Sequence, residues 1–259
     1  MTRFRFLLAL AAILLVASPT LGDDAFAGAI ETAHAADTWQ SKAAFETQIK
    51  VTFGGNTMVH GTMLMTPDMA KVRFDLVDGT VLVFDGEEAY VSPADSAFQG
   101  ARFHVLTWPY FVAAPYKLRD PGTQLEDQGR MPFAAGRALP AAKLTFGEGV
   151  GDSPDDWYIV YRNPGNDSLA GLAYIVTYGP TTTEQAEAEP HMVIYQNLEP
   201  VDGVPVPTVW SFHDWSADSG SVGDVIGEVE LNAMRFVEPA PDAFVPPKDA
   251  RVDALPGRN

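Results

Sequence analysis

The chain opens on an apolar block and then settles into alternation. Met1-Thr2-Arg3-Phe4-Arg5 is short and basic, Phe6 to Ala17 is an unbroken apolar run, and Ser18-Pro19-Thr20 ends it. The run is too short to span a bilayer core and matches the central region of a secretory leader. Residues 1–35 are read as that leader, cleaved after the small-x-small match Ala33-His34-Ala35 or, as the second choice, after Gly22. Asp37 to Gln48 reads as a short helix, since Trp39, Ala43 and Ala44 recur at i, i+4 and i+5. From Ile49 onward the period becomes two. Met58, His60, Thr62 and Leu64 alternate with Val59, Gly61, Met63 and Met65, and Val72, Phe74 and Leu76 alternate with Arg73, Asp75 and Val77. Pro67-Asp68, Asp78-Gly79 and Asp85-Gly86 punctuate these runs as turns. The first third is therefore an antiparallel meander.

The middle breaks that pattern. Ala101 to Val112 is dense in aromatics at helical spacing, with Phe103, Leu106 and Phe111 near one side and Pro109 placed to kink or restart the helix. Lys117 to Arg137 is polar and reads as a connection, with Asp120-Pro121-Gly122 as a turn. Strands resume at Ala141 to Phe146, Trp157 to Arg162, Leu172 to Tyr178, His191 to Asn197, Val206 to Trp215 and Val225 to Phe236. Turn-signal spacing gives roughly ten strands. No shift of composition marks a boundary, so residues 36–259 are expected to form one domain.

Composition narrows the setting. There is no cysteine, hence no disulfide, no thiol chemistry and no lipid anchor through a cysteine. The net charge of −17 argues against nucleic acid and against docking on anionic lipid. An exported chain without disulfides must rest on its core, and 46% hydrophobic content suits that.

Several runs together resemble a known family. Gly61-Thr62-Met63-Leu64-Met65-Thr66-Pro67, Arg73-Phe74-Asp75 and Val81-Leu82-Val83-Phe84-Asp85-Gly86 with Tyr90 resemble the N-terminal half of LolA/LolB-like periplasmic lipoprotein carriers. Met234-Arg235-Phe236 followed by Asp242-Ala243-Phe244-Val245-Pro246-Pro247 resembles their closing strand and ending. The resemblance implies a mainly β fold: a curved antiparallel sheet, half-barrel in form, with helices covering its concave face. It also implies a cavity that accepts acyl chains. One departure stands out: the carriers hold a lid-controlling arginine directly before the turn proline, where this chain has Thr66. Arg73 matches a later arginine. The fold carries over better than lipoprotein trafficking does.

No specific catalytic signal is present. G-x-S-x-G, H-E-x-x-H, a P-loop and G-x-G-x-x-G are all missing. His60, His191 and His213 could converge across a sheet, but no pair has metal-ligand spacing, and no metal or cofactor is expected. Glu87-Glu88 and Asp155-Asp156 are adjacent, so on a strand they point to opposite faces and cannot act as a glycosidase pair. Methionines and aromatics are the better clue, because they suit ill-defined apolar ligands. Trp157, Ile159 and Tyr161 share one strand face while Tyr158 and Val160 share the other, so both faces are apolar.

The expected protein is a non-catalytic, monomeric periplasmic carrier of a lipid or lipoprotein acyl chain, served by a membrane-associated delivery partner. Met63, Met65, Phe74, Trp108, Phe111, Trp157, Tyr161 and Trp210 are the expected lining or gate residues, with Trp108-Pro109-Tyr110-Phe111 as the moving segment. Two other readings are a sensor module of the same fold that binds a protein, and a secreted β-sandwich that binds carbohydrate.

Overall fold

A computed structural model describes residues 21–257. The apolar run and basic start of the expected leader lie outside these described residues. Two short helices come first, α1 (Leu21–Ala33) and α2 (Ala36–Gln40), joined through His34 and a left-handed Ala35. Five strands follow: β1 (Ala44–Phe53), β2 (Asn56–Met65), β3 (Val72–Leu76), β4 (Val81–Phe84) and β5 (Ala89–Ser92). The aromatic helix α3 (Ala101–Ala113) and a 3-10 turn (Ala114–Tyr116) lead to β6 (Thr123–Pro132), β7 (Ala138–Phe146), β8 (Trp157–Arg162) and β9 (Leu169–Tyr174). Helix α4 (Thr183–Ala188) precedes β10 (His191–Val201), β11 (Val204–Ser216), β12 (Gly220–Val237) and β13 (Arg251–Val252).

All thirteen strands among the described residues lie in one open antiparallel sheet, in the order β13-β5-β4-β3-β2-β1-β12-β11-β10-β9-β8-β7-β6. Two meanders thus meet where β1 pairs with β12. Tight turns set the hairpins. Gly54-Gly55 and Asp202-Gly203 carry positive φ at both central positions, as two-residue turns matching the strand twist require.

The sheet curls around α3. That helix touches β4 and β5 near one edge of the sheet, and its Tyr110 ring lies 5.3 Å from Tyr158 on β8. Nine strand spacings separate β5 from β8, about 43 Å on a flat sheet. A helix of this length reaches only about 20 Å. One helix can meet both only on the concave side of a half-barrel, which is the expected architecture. Pro109 sits inside α3, and the helix runs on through it to Ala113.

Two sequence expectations are corrected. The helix expected over residues 37–48 ends at Gln40, and β1 begins at Ala44. Buried Phe45, Thr47, Ile49 and Val51 alternate with more exposed neighbours, and this period of two overrides the weak helical spacing. The stretch from Lys117 to Arg137 contains β6, read from sequence as a connection. It is an edge strand with one neighbour and polar side chains on both sides, so it shows no apolar alternation.

The main core lies between α3 and the concave face. A smaller core sits on the outer face of β7 to β11 and gathers Phe133, Ile159, Tyr161, Met192 and Trp215. The turn after β6 folds over it, and the Ser221 amide donates to the Phe133 carbonyl at 2.6 Å.

Candidate functional site: an aromatic cavity beside helix α3

Helix α3 is held at both ends. Near its N-terminus Arg102 donates to Asp152 through Nε at 2.6 Å and Nη2 at 3.0 Å. Near its C-terminus the Phe111 carbonyl would ordinarily accept from residue 115, but Pro115 has no N–H. The Tyr195 hydroxyl of β10 donates to it instead, at 2.8 Å. Within the helix, Trp108 Nε1 donates to His104 Nδ1 at 2.8 Å. Burial holds His104 down at about pKa 4, with the Asp253 carboxylate opposing the shift, so its ring is neutral near pH 7.

A cavity of about 610 Å³ lies along this helix, within the size range of small-molecule sites. Its wall is a chain of rings. Phe146 meets Tyr158 at 5.9 Å, Tyr158 meets Tyr110 at 5.3 Å and Tyr174 at 6.1 Å, and Tyr174 meets Phe111 at 5.2 Å. A second cluster, Phe103 on Tyr178 at 5.3 Å, lies towards the N-terminal end of α3. Burial raises the hydroxyls of Tyr110, Tyr158 and Tyr174 above the ordinary phenol range, and that of Tyr178 to about 12. All four are therefore uncharged at physiological pH. The polar lining is sparse, chiefly Asp68, Lys117, Asp120, Asp152 and Asp156.

Of the residues expected from sequence, Trp108 and Phe111 line this cavity. Met63, Met65, Phe74 and Trp210 are fully buried in the main core behind it, with Trp210 6.3 Å from Phe111. Trp157 and Tyr161 face the other way. Tyr161 donates to the Pro132 carbonyl at 2.9 Å and accepts from Trp215 Nε1 at 3.1 Å, while Trp157 packs on Trp215 and donates to Glu187. Sequence reasoning placed Tyr110 in the moving segment without singling it out as a lining residue, and it missed Tyr158 and Tyr174. Tyr158 was legible as lying opposite Trp157 and Tyr161, but alternation alone does not tell which face is concave.

Little here favours chemistry on a substrate. His213 Nε2 and Ser211 Oγ are 3.1 Å apart, yet Ser211 is buried, receives Gln196 Nε2 at 3.0 Å, and lies outside the cavity lining. Among the described residues, no three His, Asp or Glu side chains are placed to hold a metal ion. No helix among them is long and apolar enough to cross a membrane.

No protein-family model and no curated protein matches the sequence. Among solved structures, a LolA superfamily protein from Nitrosomonas europaea aligns with a TM-score of 0.54 at 10% identity, over 86% of this chain and 97% of that one. A DUF1329 family protein from Desulfovibrio piger aligns at 0.45 and 10% identity, over 86% and 96%. The first of these identifies the fold as LolA-like.

Proposed function

We propose that this chain, with its LolA-like fold, is a non-catalytic periplasmic carrier that shields a hydrophobic ligand, a lipid or an acyl chain, in the cavity beside α3. The observation that supports this most is the continuous ring wall from Phe146 through Tyr158, Tyr110 and Tyr174 to Phe111, bordering about 610 Å³. A packed core would close on such rings. Here they border open space, and apolar space of this size gains free energy when a ligand fills it. Each buried methylene contributes about 0.8 kcal/mol. A chain of about twelve would supply roughly 10 kcal/mol, which association costs of about 4 kcal/mol or more bring down to binding in the tens of micromolar at best.

Retention and release would depend on α3. The helix forms one wall of the cavity, and its two tethers, Arg102 to Asp152 and Tyr195 to Phe111, set how readily it moves. The test is native mass spectrometry of the protein purified from its own host without detergent, followed by organic extraction. A retained lipid-sized mass that leaves on extraction is expected. An apo mass that takes up neither fatty acid nor phospholipid would overturn the carrier reading.

A further inference from the structure

The ring wall of the cavity carries a patch of hydroxyls that the fold itself leaves unbonded. We propose that Tyr110, Tyr158 and Tyr174 form a subsite for an uncharged oxygen, the carbonyl or hydroxyl of a neutral lipid, and that the cavity takes such a ligand in preference to one with an ionised head; this rests on the carrier reading above.

The tyrosines divide by position. Away from the cavity lining, buried hydroxyls find partners in the fold. Tyr116 donates to the His34 carbonyl at 3.2 Å, Tyr161 to the Pro132 carbonyl at 2.9 Å and Tyr195 to the Phe111 carbonyl at 2.8 Å. Along the cavity the pattern breaks. Among the described residues, none hydrogen-bonds the hydroxyl of Tyr110, Tyr158 or Tyr174, although Tyr174 is only 6% exposed. Buried polar groups are nearly always bonded, and an exception asks for a reason. Three neighbouring exceptions on one cavity wall have a common one: the contents of the cavity complete their bonding.

The three act as a group. Tyr158 and Tyr174 are cross-strand partners on β8 and β9 with rings stacked 6.1 Å apart, and Tyr110 reaches Tyr158 from α3 at 5.3 Å. Burial keeps all three protonated at physiological pH. A neutral phenol donates to a carbonyl and both donates to and accepts from a hydroxyl, so the subsite matches either oxygen. An ionised head fits less well. It must shed its water, and Lys117, the cation of the lining, already donates to the Asp68 carbonyl at 2.9 Å and pairs with Asp120 at 3.0 Å. Phe146, 5.9 Å from Tyr158, and Phe111, 5.2 Å from Tyr174, flank the hydroxyls and receive the apolar body.

The test uses diphenylhexatriene, a hydrocarbon that fluoresces in apolar surroundings and has no hydrogen-bonding atom, so it reads the cavity alone. It is displaced with methyl dodecanoate, dodecanol and dodecanoate, which share one tail, each below its solubility or micellar limit. The ester and the alcohol should compete about tenfold or more tightly than the carboxylate. Tyr158→Phe and Tyr174→Phe keep each ring and remove its hydroxyl. Each should weaken the ester and the alcohol about threefold to tenfold and leave the hydrocarbon within about twofold, which also shows that the variant folds. If a variant does not fold, the order of the three competitors on the unsubstituted protein decides. Ester and alcohol binding unchanged in both variants, or dodecanoate as tight as the ester, overturns the subsite and leaves the carrier reading intact. Failure of the hydrocarbon and all three competitors to bind overturns both.

Discussion

The imidazole of His34 sits between the Leu169 amide, which donates to Nε2 at 3.0 Å, and the Pro205 carbonyl, 3.1 Å from Nδ1. Only a neutral ring protonated on Nδ1 satisfies both, and burial lowers its pKa to about 4. Above pH 6.5 the ring is neutral folded or unfolded and adds no pH dependence. Between 6.5 and 4 the unfolded chain takes up a proton that the folded chain refuses, so stability falls as pH falls. Urea melts from pH 7.5 to 4.5 should show this loss, up to about 3 kcal/mol from His34, and His34→Gln should flatten the slope by that share. Tyr195→Phe, which removes one oxygen, is a second test. It strands the Phe111 carbonyl and should cost about 1–3 kcal/mol in the same melts. At this scale the sequence was only partly readable. Trp108 and Phe111 stood out through the aromatic density around them. Trp157 and Tyr161 looked equivalent to Tyr158 because a second core covers the outer face, which no local pattern reveals.

Among the elements, most hairpins were legible because each carries its own turn chemistry. Asp78 illustrates it: its carboxyl accepts from the Thr80 amide at 2.9 Å while Gly79 takes φ 89°. What escaped was decided by neighbours. β6 is polar because it borders one strand alone, and α2 stops early because Phe45 and Ile49 lie on a strand of the sheet and are buried in the main core. Gly61 on β2 has a reason beyond its turn-free position. A Cβ there would stand 2.2 Å from the Asp75 carbonyl oxygen and 2.7 Å from Leu76 Cα, so β2 and β3 pair closely only with glycine. Gly61→Ala should cost about 3 kcal/mol or more, because backbone rather than a flexible side chain must move. Thermal melts check this, with Gly55→Ala, where nothing lies within 4 Å, showing what left-handed backbone strain costs by itself.

For the molecule as a whole, α1 offers a test of the expected leader boundary. Ala27 and Ile30 are fully buried, and Arg119 pairs with Glu31 and sits 2.9 Å from its Oε1 through Nε. Removal of residues 1–35 would take this helix and His34 with it; cleavage after Gly22 would spare them. Intact mass of the exported protein should therefore place its first residue near Asp23, and a start at Ala36 would show that the fold stands without α1. The meeting of the two meanders carries a separate consequence, for the time course of folding. Nearly every other pairing links strands adjacent in the chain, but the β1–β12 seam joins Thr47 to Asn232, 185 residues apart. Closing so long a loop must come before the seam returns any energy. Ile49→Ala and Val229→Ala, on the seam, should then slow refolding, whereas Leu82→Ala, in a local hairpin, should chiefly hasten unfolding. Stopped-flow chevrons separate the two. During synthesis the seam strands wait: β1 emerges early and stays an open edge until almost the whole chain has been made, so the unfinished half-sheet is the species most exposed to aggregation.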